Sequence, residues 1–240
     1  RGVAALAALL RAHAIRLFWT PNYRLVGGAE LNATVGALYG NVPTFGGFLL
    51  KVGSEEQGGE PTPAYINAIA RAVRPHGGVV VVRAFIYGGE RYGDANRMVV
   101  PKLFFEPYDG AYDDNVIVVG KFQPLDFETA EVANPLDGVL RRTAYGTEWL
   151  AAKNYVATFA RAWHKSLYLD TGRGAPAARL VDTARCVLIT AMIGTARSWT
   201  SNPLNMVNYY AAGRLAFAPA LGVDDVYAEW AAQTFGVART

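Results

Sequence analysis

The sequence predicts an α/β fold built on a parallel sheet, because helical and strand patterns alternate from residue 15 to residue 192. Three stretches carry that reading. Ile66, Ile69, Ala70 and Val73 recur at i, i+3, i+4 and i+7, which marks one buried helical face. Val79-Val80-Val81-Val82 comes once Pro75-His76-Gly77-Gly78 has stopped that helix, and a strand so uniformly apolar is one covered on both faces. Phe48-Leu49-Leu50, punctuated by Gly46, Gly47 and Gly53, is too short for a helix and supplies the first strand of a βαβ unit.

The remaining elements are taken in chain order. Residues 2–13 read as a helix with Leu6, Leu9 and Leu10 at amphipathic spacing. Flanked by Arg1 and Arg11 and followed by Ala12-His13-Ala14, this run imitates a secretory leader, but a core strand at residues 15–19 comes at once and assigns it to the domain. The chain opens on Arg and not Met, so its natural beginning is expected to be absent. A second helix covers residues 29–39. The helix carrying Ile66 starts at Thr62-Pro63, where a hydroxyl can cap free amides and proline tolerates the first position. Residues 88–107 are polar, then mixed, and receive no element. A loop at residues 109–115 leads into a buried strand, Val116 to Val119. An Ala-rich helix over residues 148–164, a last strand over 187–192, a helix from Asn202-Pro203 to residue 217 and a final amphipathic helix over 223–235 complete the chain.

Composition excludes several classes. The 240 residues are 52% hydrophobic and 18% charged, enough to bury a sizeable core in one large domain or one and a half ordinary ones. The formal charge is +3 with the basic residues scattered singly, so nucleic-acid binding has no support. No apolar stretch reaches the roughly 18–20 residues of a membrane helix. The single cysteine, Cys186, rules out an internal disulfide and reads as a small buried hydrophobe. The compartment stays open, with cytoplasm or periplasm favoured over secretion. His13, His76 and His164 show no metal-ligand spacing, and the glycine-rich loop at residues 46–59 lacks the phosphate signatures of nucleotide-binding loops. No cofactor is expected.

Chemistry concentrates at two strand ends. Lys51, Ser54 and Glu55 fall at the carboxyl end of the Phe48–Leu50 run, where α/β sheets place their reactive groups. Arg83 closes the four-valine strand, and a guanidinium in such a place calls for a partner that suits its planar fork, such as a carboxylate. A loop of solvated charges and a structural ion pair are the plainer readings of the same residues.

These stretches resemble α-glucuronidases of glycoside hydrolase family 67. Gly46-Gly47-Phe48-Leu49-Leu50, Lys51 and Ser54-Glu55 are similar to that family's Phe-Gly-Gly-Phe-Leu run leading through Lys to a Ser-Glu-Gly-Gln loop, with Glu56 in place of the glycine. Pro75-His76-Gly77-Gly78 and Arg83-Ala84-Phe85-Ile86-Tyr87 resemble its Pro-His-Gly-Gly and Arg-Ala-Phe-x-Tyr blocks. The block from Asp109 to Val116 resembles its Asp-Gly-x-Phe-x-Asp-Asn-Val. Pro124 to Leu136 resembles the block containing Asp-Phe and Glu, with Ala130 and Val132 departing from an Arg and a Pro. The Arg197-Ser198-Trp199-Thr200 loop and Gly213-Arg214-Leu215-Ala216 are similar to its last blocks.

The resemblance implies a (β/α)8 barrel over residues 1–195 lacking its first one or two strands, followed by the start of an α-helical C-terminal domain over 196–240. It implies inverting hydrolysis of the α-1,2 bond that joins glucuronic acid or its 4-O-methyl ether to xylo-oligosaccharides derived from glucuronoxylan. In that implied site Glu55 is the general acid and Glu131 activates water. Lys51 and Arg83 hold the uronic carboxylate, and Trp199 lies on the substrate. The family's second base falls at Leu103 in an ungapped reading, so Asp109, or Glu106, is the candidate to supply that charge. The C-terminal domain is expected to offer a homodimer interface in the full-length protein. A diverged uronic-acid-binding barrel without turnover is the alternative. A phosphate-sugar enzyme is disfavoured by the missing phosphate-binding glycine signature after the last strand.

Overall fold

The computed structural model describes residues 2–21, 28–51, 62–86, 93, 95–121, 134–149, 189–191, 204, 206–218 and 221–236. They fall into two units: residues 1–119 with 139–144, and residues 120–138 with 145–240. The expected domain boundary near residue 195 lies outside the described residues.

The first unit begins with α1, Gly2–Ala12, and β1, Phe18–Trp19. The strand is shorter than its apolar pattern because its partner begins only at Gly47, which pairs with Phe18. Ile15 to Leu17 run ahead of the sheet, where Arg16 instead donates to the carbonyls of Phe45 (3.2 Å) and Gly77 (2.8 Å). Then come α2, Ala29–Asn41, and β2, Gly47–Leu50. Gly47 has φ +133°, and a Cβ there would run into the Val79 carbonyl, so glycine lets β2 close on its neighbour.

Next is α3, Pro63–Val73, whose Ile66, Ile69, Ala70 and Val73 are fully buried as the spacing predicts. Proline holds the first helical position, but the Thr62 hydroxyl makes no capping bond. A 3-10 turn, Arg74–His76, and a left-handed Gly77 (φ +69°) end the helix and turn the chain into β3, Val79–Arg83.

A short α4, Val100–Phe105, occupies the stretch that carried no predicted element. Its six residues are too few to show a period, yet Val100, Phe104 and Phe105 are buried. Next comes β4, Val116–Lys121, whose last two residues belong to the second unit.

Strand pairing is parallel from β1 to β4, in chain order, with Leu50 level with Val82 and Val82 level with Val118. Polar side chains lock the junctions at the amino ends of these strands. Asn67 donates to the Ala111 carbonyl at 2.9 Å and accepts the Asp113 amide at 2.9 Å. Asn115 donates to the carbonyls of Ala70 (2.9 Å) and Gly78 (3.0 Å).

The second unit contains β5, Ala144–Trp149, from Tyr145 onward, and β6, Ile189–Ala191, paired in parallel with Thr147 level with Ile189. β5 corrects the predicted helix at its start: Glu148 and Trp149 are strand residues, held by pairing with β6 against the helical preference of the Ala-rich sequence beyond them. The rest of that expected helix, residues 150–164, lies outside the described residues.

Helices α5, Met206–Phe217, and α6, Val223–Phe235, pack together. Arg214 donates to both oxygens of Glu229 (3.1–3.2 Å), and Glu229 also accepts the Tyr210 hydroxyl. The whole is an α/β fold with a parallel sheet, an arrangement compatible with a barrel.

Candidate active site

Strand register places the two predicted carboxylate-binding cations. Leu50 pairs with Val82, so Lys51, which directly follows β2, and Arg83, which ends β3, come next at the adjacent carboxyl ends of strands that lie roughly 4.8 Å apart. Level residues on parallel strands point to the same face. On one face of this sheet Phe48, Leu50, Val80, Val82, Val116 and Val118 are all 2% exposed or less. That face is the fully covered one. Lys51 and Arg83 belong to the opposite face, with Leu49, Val81 and Ile117, and both are half-buried. A pair of cations on this more open face at strand carboxyl ends can bind an anion.

The residues just after Arg83 define its position further. The Ala84 amide donates to the Val119 carbonyl at 2.8 Å and the Phe85 amide to the Arg83 carbonyl at 2.9 Å, which ends β3 in a tight turn centred on Ala84. The turn brings the Arg83 guanidinium carbon over the Phe85 ring, 5.5 Å from its centroid.

Asp109 does not join this pair. It precedes β4, at the amino end of the strands, and its carboxylate accepts the backbone amides of Arg141 (3.0 Å), Arg142 (3.0 Å) and Thr143 (2.9 Å). The Thr143 hydroxyl accepts the Gly110 amide, and the Arg142 guanidinium returns to the Asp109 carbonyl. Burial pushes the Asp109 carboxyl upward, but those three amides and the Thr143 hydroxyl outweigh it and hold the group below the ordinary carboxylate range. A carboxyl depressed in this way stabilises the folded unit above its unfolded value and loses that contribution as pH falls through the folded one. Asp109→Ala strips an acceptor from three amides, and a loss of about 2 kcal/mol is expected in urea unfolding at pH 7; an unchanged midpoint would mean that water replaces the carboxylate without cost. Leu103, in α4, is 46% exposed and Glu106 begins the short turn before Asp109.

A family model described as the glycosyl hydrolase family 67 middle domain matches residues 30–181. The chain belongs to glycosyl hydrolase family 67. It is similar to "Probable alpha-glucuronidase A" of Neosartorya fischeri, 33% identical over 227 residues that cover 84% of this chain and 27% of that protein. It also resembles "Alpha-glucuronidase" of Hypocrea jecorina, 32% identical with 84% and 26% covered, and "Alpha-glucuronidase A" of Emericella nidulans, 28% identical with 98% and 32% covered. This family 67 chain therefore spans about a quarter to a third of the length of those relatives.

Of the other residues expected in the family 67 site, Glu55, Glu131 and Trp199 lie outside the described residues. The second unit holds polar groups that sequence reasoning missed. β4 ends on Lys121, which is buried, and the Asn134 side chain donates to the Lys121 carbonyl at 2.6 Å while accepting the Leu136 amide at 2.9 Å. Thus the chain leaving β4 at residue 121 is tied to its return at residue 134, across the stretch that carries Glu131. The Tyr145 hydroxyl donates to Asp137 at 2.8 Å, and the second Asp137 oxygen is buried without a hydrogen-bond partner among the described residues. The signal for Lys121 was present: Val118-Val119-Gly120-Lys121 repeats the pattern of an apolar strand ending on a cation seen at Lys51 and Arg83. Among the described residues, no group of three or more His, Cys, Asp or Glu side chains could hold a metal ion.

Proposed function

We propose that the protein is the catalytic portion of an α-glucuronidase that removes α-1,2-linked glucuronic acid, or its 4-O-methyl ether, from xylo-oligosaccharides with inversion. The observation that carries this reading is the pair of Lys51 and Arg83 at adjacent strand ends. Two cations so placed select an acidic sugar, because a neutral analogue offers them no opposite charge as water is excluded. Inversion requires a protonated carboxyl on one side of the glycosidic oxygen and a carboxylate on the other, about 6.5–9.5 Å apart, with a water between them. Glu55 protonates the leaving oxygen and Glu131 takes a proton from the water that attacks the anomeric carbon. Trp199 offers an apolar ring face to the pyranose C–H groups. The parallel sheet is part of a (β/α)8 barrel, and α5 and α6 open a helical C-terminal domain through which the full-length protein dimerises.

Asp109 is placed in this reading as a structural carboxylate, since its oxygens are committed to amides at the amino end of the strands. That same placement, with Leu103 at the position of a second base, favours a second reading, an acidic-sugar-binding barrel without turnover. The deciding experiment is release of glucuronic acid from an aldouronic xylo-oligosaccharide by the intact gene product, with Glu131→Gln as control. Release by the parent and its loss in the variant are expected. Binding of the sugar acid in calorimetry with no release would leave the second reading standing.

A further inference from the structure

We propose that Phe85 is a positioning residue for carboxylate recognition, acting through Arg83; the inference rests on the reading that Arg83 holds the uronic carboxylate. The ring is only 2% exposed, so it is not a surface on which a sugar can lie. Its position is over-determined, by the Phe85 amide bond to the Arg83 carbonyl and by the Ala84 bond to Val119 immediately before it. Above this fixed ring sits the guanidinium carbon of Arg83, within the roughly 6 Å at which a cation is attracted by an aromatic face. An arginine gives up rotamer freedom when it is held, and a fixed aromatic platform removes part of that cost before any ligand arrives. The ring has no acceptor for the N–H donors, so stacking on it does not compete with two parallel bonds from the planar fork to a carboxylate. Contact with an apolar ring also strips water from the cation, which strengthens its bond to an anion and does nothing for a neutral group.

The predicted signature is therefore selective. In calorimetry on the intact gene product, Phe85→Leu is expected to weaken D-glucuronate binding roughly five-fold and to leave D-glucuronamide, its neutral counterpart, unchanged. With the oligosaccharide substrate KM rises by a similar factor while kcat holds, as for an interaction made equally in ground and transition states. Phe85→Tyr restores both. Equal weakening of the acid and the amide, or no change in either, overturns the inference. Arg83→Met separates it from the reading beneath: it is expected to reduce the preference for acid over amide by more than Phe85→Leu does, Lys51 supplying what remains. If that preference is unchanged in Arg83→Met, the carboxylate role of Arg83 falls and the role of Phe85 falls with it. If Arg83→Met reduces the preference and Phe85→Leu does not change it, only the Phe85 inference fails. Should Phe85→Leu lose its fold by circular dichroism, Phe85→Met, of similar volume, carries the same comparison.

Discussion

Glu55→Gln is expected to slow release of glucuronic acid from unactivated xylo-oligosaccharides by about 10²–10⁴-fold, the range over which a positioned general acid contributes. Glutamine keeps the shape and the hydrogen-bonding reach of the side chain but has no proton to give. The departing xylose oxygen must then leave as an alkoxide, and the barrier rises by the free energy of that unneutralised charge. An aryl glucuronide, whose phenolate leaves without help, should lose far less. The diagnostic is thus the ratio between the two substrates, and affinity for the oligosaccharide should be spared. The acid limb of the rate profile, set by the water-activating carboxylate, should persist in Glu55→Gln, whereas the alkaline limb, set by the acid, should vanish. Equal loss on both substrates would assign Glu55 to positioning, and unchanged turnover would remove it from the mechanism.

The second large effect concerns Asp137. Burial raises its carboxyl to about 7, against the smaller opposing effects of hydrogen bonds from the Tyr145 hydroxyl and the Asn134 backbone. Folding therefore binds a proton across the range between the ordinary carboxylate value and about 7, so this group's contribution to stability is complete below about pH 4 and is lost as pH rises toward neutrality. A difference of that size corresponds to roughly 2–4 kcal/mol. Asp137→Asn cannot ionise and still accepts the Tyr145 hydroxyl, so the variant should be more stable than the parent at pH 8 by roughly that amount and equal to it at about pH 4. Urea denaturation of both proteins across the range measures the difference; parallel curves would contradict it. Tyr145 is itself pushed well above its ordinary value, first by burial and then by Asp137, so it remains a hydrogen-bond donor throughout this range.

Periodicity made the first unit readable wherever an element was long or uniformly apolar. Ile66 to Val73 fixed α3 and the four valines fixed β3, because burial on one or both faces leaves few alternatives for such residues. β1 and α4 were misjudged or missed because two residues make one strand repeat and six make less than two helical turns, too few for a pattern to recur. β5 was invisible for another reason: Tyr145, Thr147 and Glu148 are buried polar side chains, so no apolar alternation announces the strand, and the Asp137 that accepts the Tyr145 hydroxyl is a partner only the fold reveals. Within the site, Lys51 and Arg83 were legible as cations that end apolar strands, but their coming together at adjacent strand ends depends on a register that no local pattern states. Asp109 illustrates the opposite limit. A carboxylate in a loop near a family block looks catalytic in sequence, and only the amides of residues 141–143, more than thirty positions away, reveal its structural work.

The locks at the amino ends of the strands bear on how such a scaffold can change. Arg16, Asn67, Asn115 and Asp109 each bind main-chain groups there, so the junctions on that side are fixed by side chains reaching backbone. All four act at the junctions ahead of the strands, so the register of β1 to β4 is held from the amino side. Changes at the carboxyl ends that leave these four side chains in place are expected to leave that register intact. Substitutions within residues 106–115 have no such freedom. What the strand ends present is free to drift in this lineage, and its persistence as a fold is written at the opposite end of the strands.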